Sequence, residues 1–89
     1  MYTLLVSYDL DKPGQDYSRL IARLKQYGAV RVLYSTCALR TKWTPKQLRD
    51  DLKTYVDSND MLLVTALTGV AAWTSLMVSN DSFKKLFAA

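Results

Sequence analysis

The run Ala29-Val30-Arg31-Val32-Leu33-Tyr34-Ser35-Thr36-Cys37-Ala38-Leu39-Arg40-Thr41 changes phase midway, and that change decides the fold. Val30 and Val32 share one face of an extended chain, while Cys37 and Leu39 share a face of opposite parity. Strand side chains alternate strictly between two faces, so a flip of parity requires a bulge or a tight turn, here between Leu33 and Thr36. Two short paired strands fit thirteen residues better than one long strand does.

On the N-terminal side, Tyr17, Leu20, Ile21, Leu24 and Tyr27 recur at the spacing that paints one stripe on an α-helix. Gly28 follows as a stop. Further back, the apolar and β-branched run from Met1 to Leu10 reads as a strand that ends at Asp9, before a Lys12-Pro13-Gly14 turn. On the C-terminal side, Thr44 is a natural N-cap, Pro45 suits the first helical position, and Gln47 completes a capping box. Trp43 and Leu48 have the spacing of a hydrophobic staple, and Leu48, Leu52, Tyr55 and Val56 form the buried stripe. Asp57-Ser58-Asn59-Asp60 is a turn by composition. Met61 to Leu67 is continuously apolar, the pattern of a central strand buried on both faces. Gly69 breaks it, and the apolar residues beyond predict a linker with a short terminal helix or strand.

The order strand, helix, strand, strand, helix, strand predicts an α+β domain of ferredoxin-like βαββαβ topology. Its four-stranded antiparallel sheet carries both helices on one face. Residues 1–89 form one such domain, with a core over 1–68 and a C-terminal extension over 69–89. The sheet's other face needs cover, either from this extension or from a second copy, so a homodimer is expected.

At 89 residues there is room for one modest core; 49% apolar and 22% charged residues are ordinary for a globular chain. The lone Cys37 has no internal disulfide partner, which points to a reducing compartment, and no export signal is visible, so a cytoplasmic location is expected. The uncharged run from Met61 to Asn80 is broken by Thr, Gly and Ser, against a membrane span. Histidine is absent, which excludes Ser/His and Cys/His nucleophile pairs and His-containing zinc sites. A net charge of +4 permits an anionic partner without requiring one.

Asp9 is the leading candidate for chemistry, because a carboxylate at the end of a strand meets solvent where a metal or phosphate can reach it. With Asp11 and Asp16 it has the makings of an acidic pocket; the bland alternative is a turn-capping aspartate. Arg19, Arg31, Arg40, Lys42 and Lys46, together with Arg23, are candidates for a phosphate surface. Lys42 and Lys46 flank a helix start, where free backbone donors attract anions. The competing reading is a solvated polar face. The tyrosines and tryptophans offer stacking for bases, yet most fall on apolar stripes and read as core. Cys37 reads as a small core residue.

The pieces Val6-Ser7-Tyr8-Asp9-Leu10, Tyr27-Gly28 and Arg31-Val32-Leu33-Tyr34-Ser35-Thr36-Cys37-Ala38-Leu39 resemble the small ferredoxin-like CRISPR-associated family that partners the spacer integrase. The likeness covers about the first forty residues and continues in the order of elements. Lys12-Pro13-Gly14-Gln15-Asp16-Tyr17, Arg49-Asp50 and Thr68-Gly69-Val70-Ala71-Ala72-Trp73 are similar to a set of uncharacterised bacterial and phage relatives of that family. The resemblance implies a homodimer, a C-terminal strand that adds to the partner's sheet and, in some members, a metal-dependent nuclease whose aspartate corresponds to Asp9. Two copies of Asp9 across the dimer axis would then hold Mg²⁺ against a scissile phosphate. This chain departs from the family in lacking the basic cluster after that aspartate.

The expectation from sequence is therefore a homodimer that binds nucleic acid or a nucleotide, with Mg²⁺-dependent phosphodiesterase chemistry at Asp9. A non-enzymatic module that docks a protein or sequesters a small anion is the alternative. A toxin-like ribonuclease of the same fold would need the same aspartate.

Overall fold

A computed structural model of the chain describes residues 1–9 and 17–87. The elements run β1 (Tyr2–Asp9), α1 (Ser18–Gln26), β2 (Val30–Leu33), β3 (Thr36–Thr41), α2 (Pro45–Leu52), a 3₁₀ turn over Lys53–Tyr55, β4 (Met61–Leu67) and α3 (Asn80–Lys85). The strands form one sheet in the order β2-β3-β1-β4, and every neighbouring pair is antiparallel. This is the expected ferredoxin-like α+β arrangement. The phase flip falls where expected: β2 and β3 turn at Tyr34 and Ser35, and the register between them shifts at Arg31 and Leu33.

Local signals explain both long helices. In α1 the stripe buries Leu20 and Leu24, and Gly28 ends the helix at φ +77°. There the Gly28 N–H bonds to the Lys25 carbonyl (3.0 Å) and the Ala29 N–H to the Leu24 carbonyl (3.1 Å), a left-handed glycine cap that satisfies carbonyls the helix leaves open. In α2 the capping box is complete: the Gln47 N–H donates to Thr44 Oγ1 (3.2 Å) and the Thr44 N–H to Gln47 Oε1 (2.9 Å). Trp43, expected in a staple, sets its ring edge-on to Tyr27 at 5.4 Å.

Alternation along the strands divides the molecule into two layers of packing. Leu4, Val6 and Tyr8 of β1 and Cys37 and Leu39 of β3 meet Leu20 and Leu24 of α1 and Leu48 and Leu52 of α2. Both helices therefore share one face, as predicted, and Cys37 is a buried core residue. On the opposite face Val32, Ala38, Leu5 and Val30 pack under Trp73, Leu76, Val78, Phe83, Leu86 and Phe87. The Met77 N–H bonds to the Val32 carbonyl (3.0 Å), and Thr3 Oγ1 donates to the Leu86 carbonyl, so the extension is tied to the sheet at two places.

Of the terminal helix or strand expected in the extension, the described residues form the helix: α3 folds onto the chain's own sheet, where Trp73, Phe83 and Phe87 stack edge-on at 4.8 and 5.5 Å over the apolar half of that face. One expectation changes. Strand β4 is an edge strand, not a central one buried on both sides. Strand β3 occupies the other flank of β1, and Met61 and Leu63 are 64% and 60% exposed. Only its alternate residues Leu62 and Val64 reach the core.

Candidate functional site

Strand β1 carries Thr3, Leu5, Ser7 and Asp9 on the face away from the helices. The C-terminal extension covers Leu5 and bonds to Thr3. The end bearing Ser7 and Asp9 forms an open depression of about 350 Å³ lined by Ser7, Tyr8, Asp9, Ser35, Met61, Leu62 and Leu63. Met61 stands directly across from Asp9 and Leu63 across from Ser7 in the β1–β4 pairing. The Tyr8 N–H donates to the Ser35 carbonyl (3.0 Å), which fastens the β2–β3 turn beside β1, and Ser7 Oγ lies 3.2 Å from Thr36 Oγ1. Asp9 is exposed, and among the described residues nothing pairs with its carboxylate.

One carboxylate does not complete a metal site. Among the described residues no group of three or more Cys, Asp or Glu side chains converges. Asp11 and Asp16, the other members of the expected acidic pocket, lie outside the described residues, as does the Lys12-Pro13-Gly14 turn. Mg²⁺ binds through one or two carboxylates and retains water. Among the described residues the depression offers Mg²⁺ one carboxylate, Asp9, flanked by a thioether and an aliphatic side chain.

The five cations proposed to grip phosphate do not gather at Asp9, and none lines the depression. Arg19 sits over the Tyr55 ring at 5.8 Å, on the helix side. Arg31 donates from Nε and Nη2 to the Tyr34 carbonyl (2.9 and 2.6 Å) and covers the Tyr34 ring at 5.7 Å. Arg40 pairs with Thr3, six residues down β1 from Asp9 and so about 20 Å away. Lys46 bridges to Asp50 at 3.2 Å, and Lys42 is exposed just beyond β3. The start of α2 that these two lysines flank has its Gln47 N–H already taken by Thr44.

Other titratable groups are structural. Burial pushes the Tyr8 phenol and the Cys37 thiol above their ordinary values, and the two meet with Tyr8 Oη 3.9 Å from Cys37 Sγ. A thiol held protonated by burial is a poor nucleophile. Arg23 clasps Asp51 with two bonds and also reaches Gln26 (2.7 Å) and Tyr27 (3.2 Å), which holds the Asp51 carboxyl below the usual carboxylate range. This cluster joins α1 to α2.

As a candidate for chemistry the sequence marks Asp9 but not Ser7, Ser35, Met61 and Leu63 around it. The alternation of β1 marks Ser7 as its companion, whereas the unbroken apolar run of β4 hides which of its residues face outward. No known protein-family model matches the chain, and no solved structure matches it. Among the described residues no helix is long and apolar enough to cross a membrane.

Proposed function

We propose that the protein is a cytoplasmic homodimer that binds nucleic acid or a nucleotide through a site shared between two copies, with Asp9 contributed by each. One observation carries this reading: Asp9 is exposed beside Met61 and Leu63 on the part of the sheet that the chain's own C-terminal extension leaves bare. Large apolar side chains exposed beside a carboxylate gain by meeting a second copy, which would remove Met61 and Leu63 from water. A twofold axis at this corner would bring two carboxylates together, where the described residues of one chain offer one. Mg²⁺ held there would neutralise phosphodiester charge and activate water. Asp9 would act as its ligand, and the hydroxyls of Ser7 and Ser35 would hydrogen-bond the phosphate.

The test combines light scattering with RNA and DNA cleavage assays in Mg²⁺, on the wild type and on Asp9→Asn. The expected result is a dimer in both proteins and cleavage only in the wild type. A monomeric wild type, or equal cleavage by the variant, would overturn the reading.

A second reading, a non-enzymatic interaction module, is favoured by the dispersal of Arg19, Arg31, Arg40, Lys42 and Lys46 away from Asp9. It predicts no cleavage. Partner binding would then depend only weakly on salt, whereas phosphate contacts weaken steeply as salt rises.

A further inference from the structure

Between the end of α1 and strand β2 lies a cavity of about 270 Å³ lined by Ile21, Leu24, Lys25, Ala29, Arg31 and Cys37. Its wall is apolar except for two cations. Neither Lys25 nor Arg31 makes an ion pair among the described residues, whereas Arg23, Lys46 and Arg49 all do. Among the described residues no acidic side chain lines the opening. The carbonyls of Leu24 and Lys25 that end α1 are taken by the Ala29 and Gly28 N–H groups, which lessens the negative partial charge these two carbonyls present at the helix terminus. Arg31 is held against the Tyr34 carbonyl through Nε and Nη2, so its guanidinium is positioned in advance, and among the described residues Nη1 has no hydrogen bond.

We infer that this cavity binds a small monoanion with an apolar body, such as an aromatic or short aliphatic carboxylic acid. The carboxylate would lie between Lys25 and Arg31, and the apolar part against Ile21, Leu24, Ala29 and Cys37. The volume sets the size class: it equals roughly nine water-sized volumes at ~30 Å³ each and falls just under the ~300 Å³ at which pockets for drug-sized ligands begin. A dinucleotide or a nucleoside triphosphate does not fit. Inorganic phosphate fits by size but leaves the apolar wall unused. The site is separate from Asp9, which faces the other side of the sheet, and stands whether or not the chain dimerises.

The test is an amide NMR titration of the full chain with sodium benzoate, benzamide and inorganic phosphate at constant ionic strength. Benzoate is expected to give saturable shifts centred on Ile21, Leu24, Ala29 and Cys37. Benzamide, which keeps the ring and lacks the charge, is expected to bind about tenfold more weakly or worse. Phosphate is expected to leave those four amides in place. Lys25→Gln and Arg31→Gln should each weaken benzoate by about tenfold, and Ala29→Leu should fill the cavity and abolish the shifts. The inference is overturned if benzamide matches benzoate, if phosphate produces the same shifts, if the benzoate shifts lie elsewhere, or if both charge variants bind benzoate like the wild type. Each variant's own amide spectrum reports whether it is folded. Should Ala29→Leu disturb the fold, the two charge variants decide the matter.

Discussion

Arg23 of α1 and Asp51 of α2 form a two-pronged pair, Nε to Oδ2 at 2.9 Å and Nη2 to Oδ1 at 3.0 Å, and Tyr27 Oη adds a third bond to the same carboxylate at 2.8 Å. The two side chains are 28% and 21% exposed, so the pair is only partly screened by water. It ties together the two helices whose leucines close the core.

This pair gives stability a defined dependence on acid. The folded state holds the Asp51 carboxyl below its ordinary range, chiefly through the bond from Arg23, so the unfolded chain takes up the proton first as pH falls. The contribution is fully present above the unfolded value of about 3.9 and is lost as pH drops from there through the lower folded value. Urea unfolding between pH 7 and pH 3 should show this loss in the wild type and a smaller one in Asp51→Asn. At pH 7 the substitution should cost about 1–2 kcal/mol, since the charge-assisted bonds are partly exposed. Parallel pH profiles for the two proteins would rule out this role.

The cap of α2 is a separable quantity. Thr44→Ala removes the side-chain acceptor of the Gln47 N–H and should destabilise the protein by about 1 kcal/mol. Thr44→Ser keeps the acceptor and should cost a few tenths of that. Denaturation midpoints distinguish the two, and equal losses would show that the threonine methyl matters more than its oxygen.

Phe83 anchors the extension. It is 6% exposed, between Trp73 and Phe87 and above Val32 and Ala38. Phe83→Ala should cost about 3–5 kcal/mol if the segment stays docked. If the segment detaches, the cost falls and protease cleavage appears between Gly69 and Ser79. Mass spectrometry of limited digests reads this directly; a variant as stable and as resistant as the wild type would show that the extension is held elsewhere.

The bare corner of the sheet supplies a test of assembly without touching the core. Met61→Lys and Leu63→Lys place charge on residues already 64% and 60% exposed, so monomer stability should change by no more than about 0.5 kcal/mol. Light scattering should report loss of the dimer in both. A wild-type dimer that survives both changes must be built on another surface.

The contrast between β1 and β4 shows where the sequence is legible. In β1 the alternation of Leu4, Val6 and Tyr8 with Thr3, Ser7 and Asp9 differs in polarity, so the outward face, and Asp9 on it, can be read from the chain alone. In β4 both faces are apolar, and the run Met61–Leu67 looks like a strand buried on both sides, although Met61 and Leu63 are exposed. The fates of Arg31 and Arg40 were equally hidden. Nothing in their spacing tells that Arg31 folds onto the Tyr34 carbonyl or that Arg40 stands far down the strand from Asp9, whereas the i,i+4 spacing of Lys46 and Asp50 in α2 does announce their pairing.

By itself the sequence determined the elements and their order: the stripe of α1, the glycine stop, the capping box of α2 and the parity change that splits β2 from β3 are all local, encoded within a few residues of where they act. Only the tertiary structure decided which flank of β1 each strand takes, that the extension lies on its own sheet, and that Asp9 is left beside two exposed apolar side chains. Those outcomes depend on contacts between residues distant in the chain, such as Thr3 with Leu86 and Val32 with Met77, and apolar burial has no direction of its own to announce them in advance.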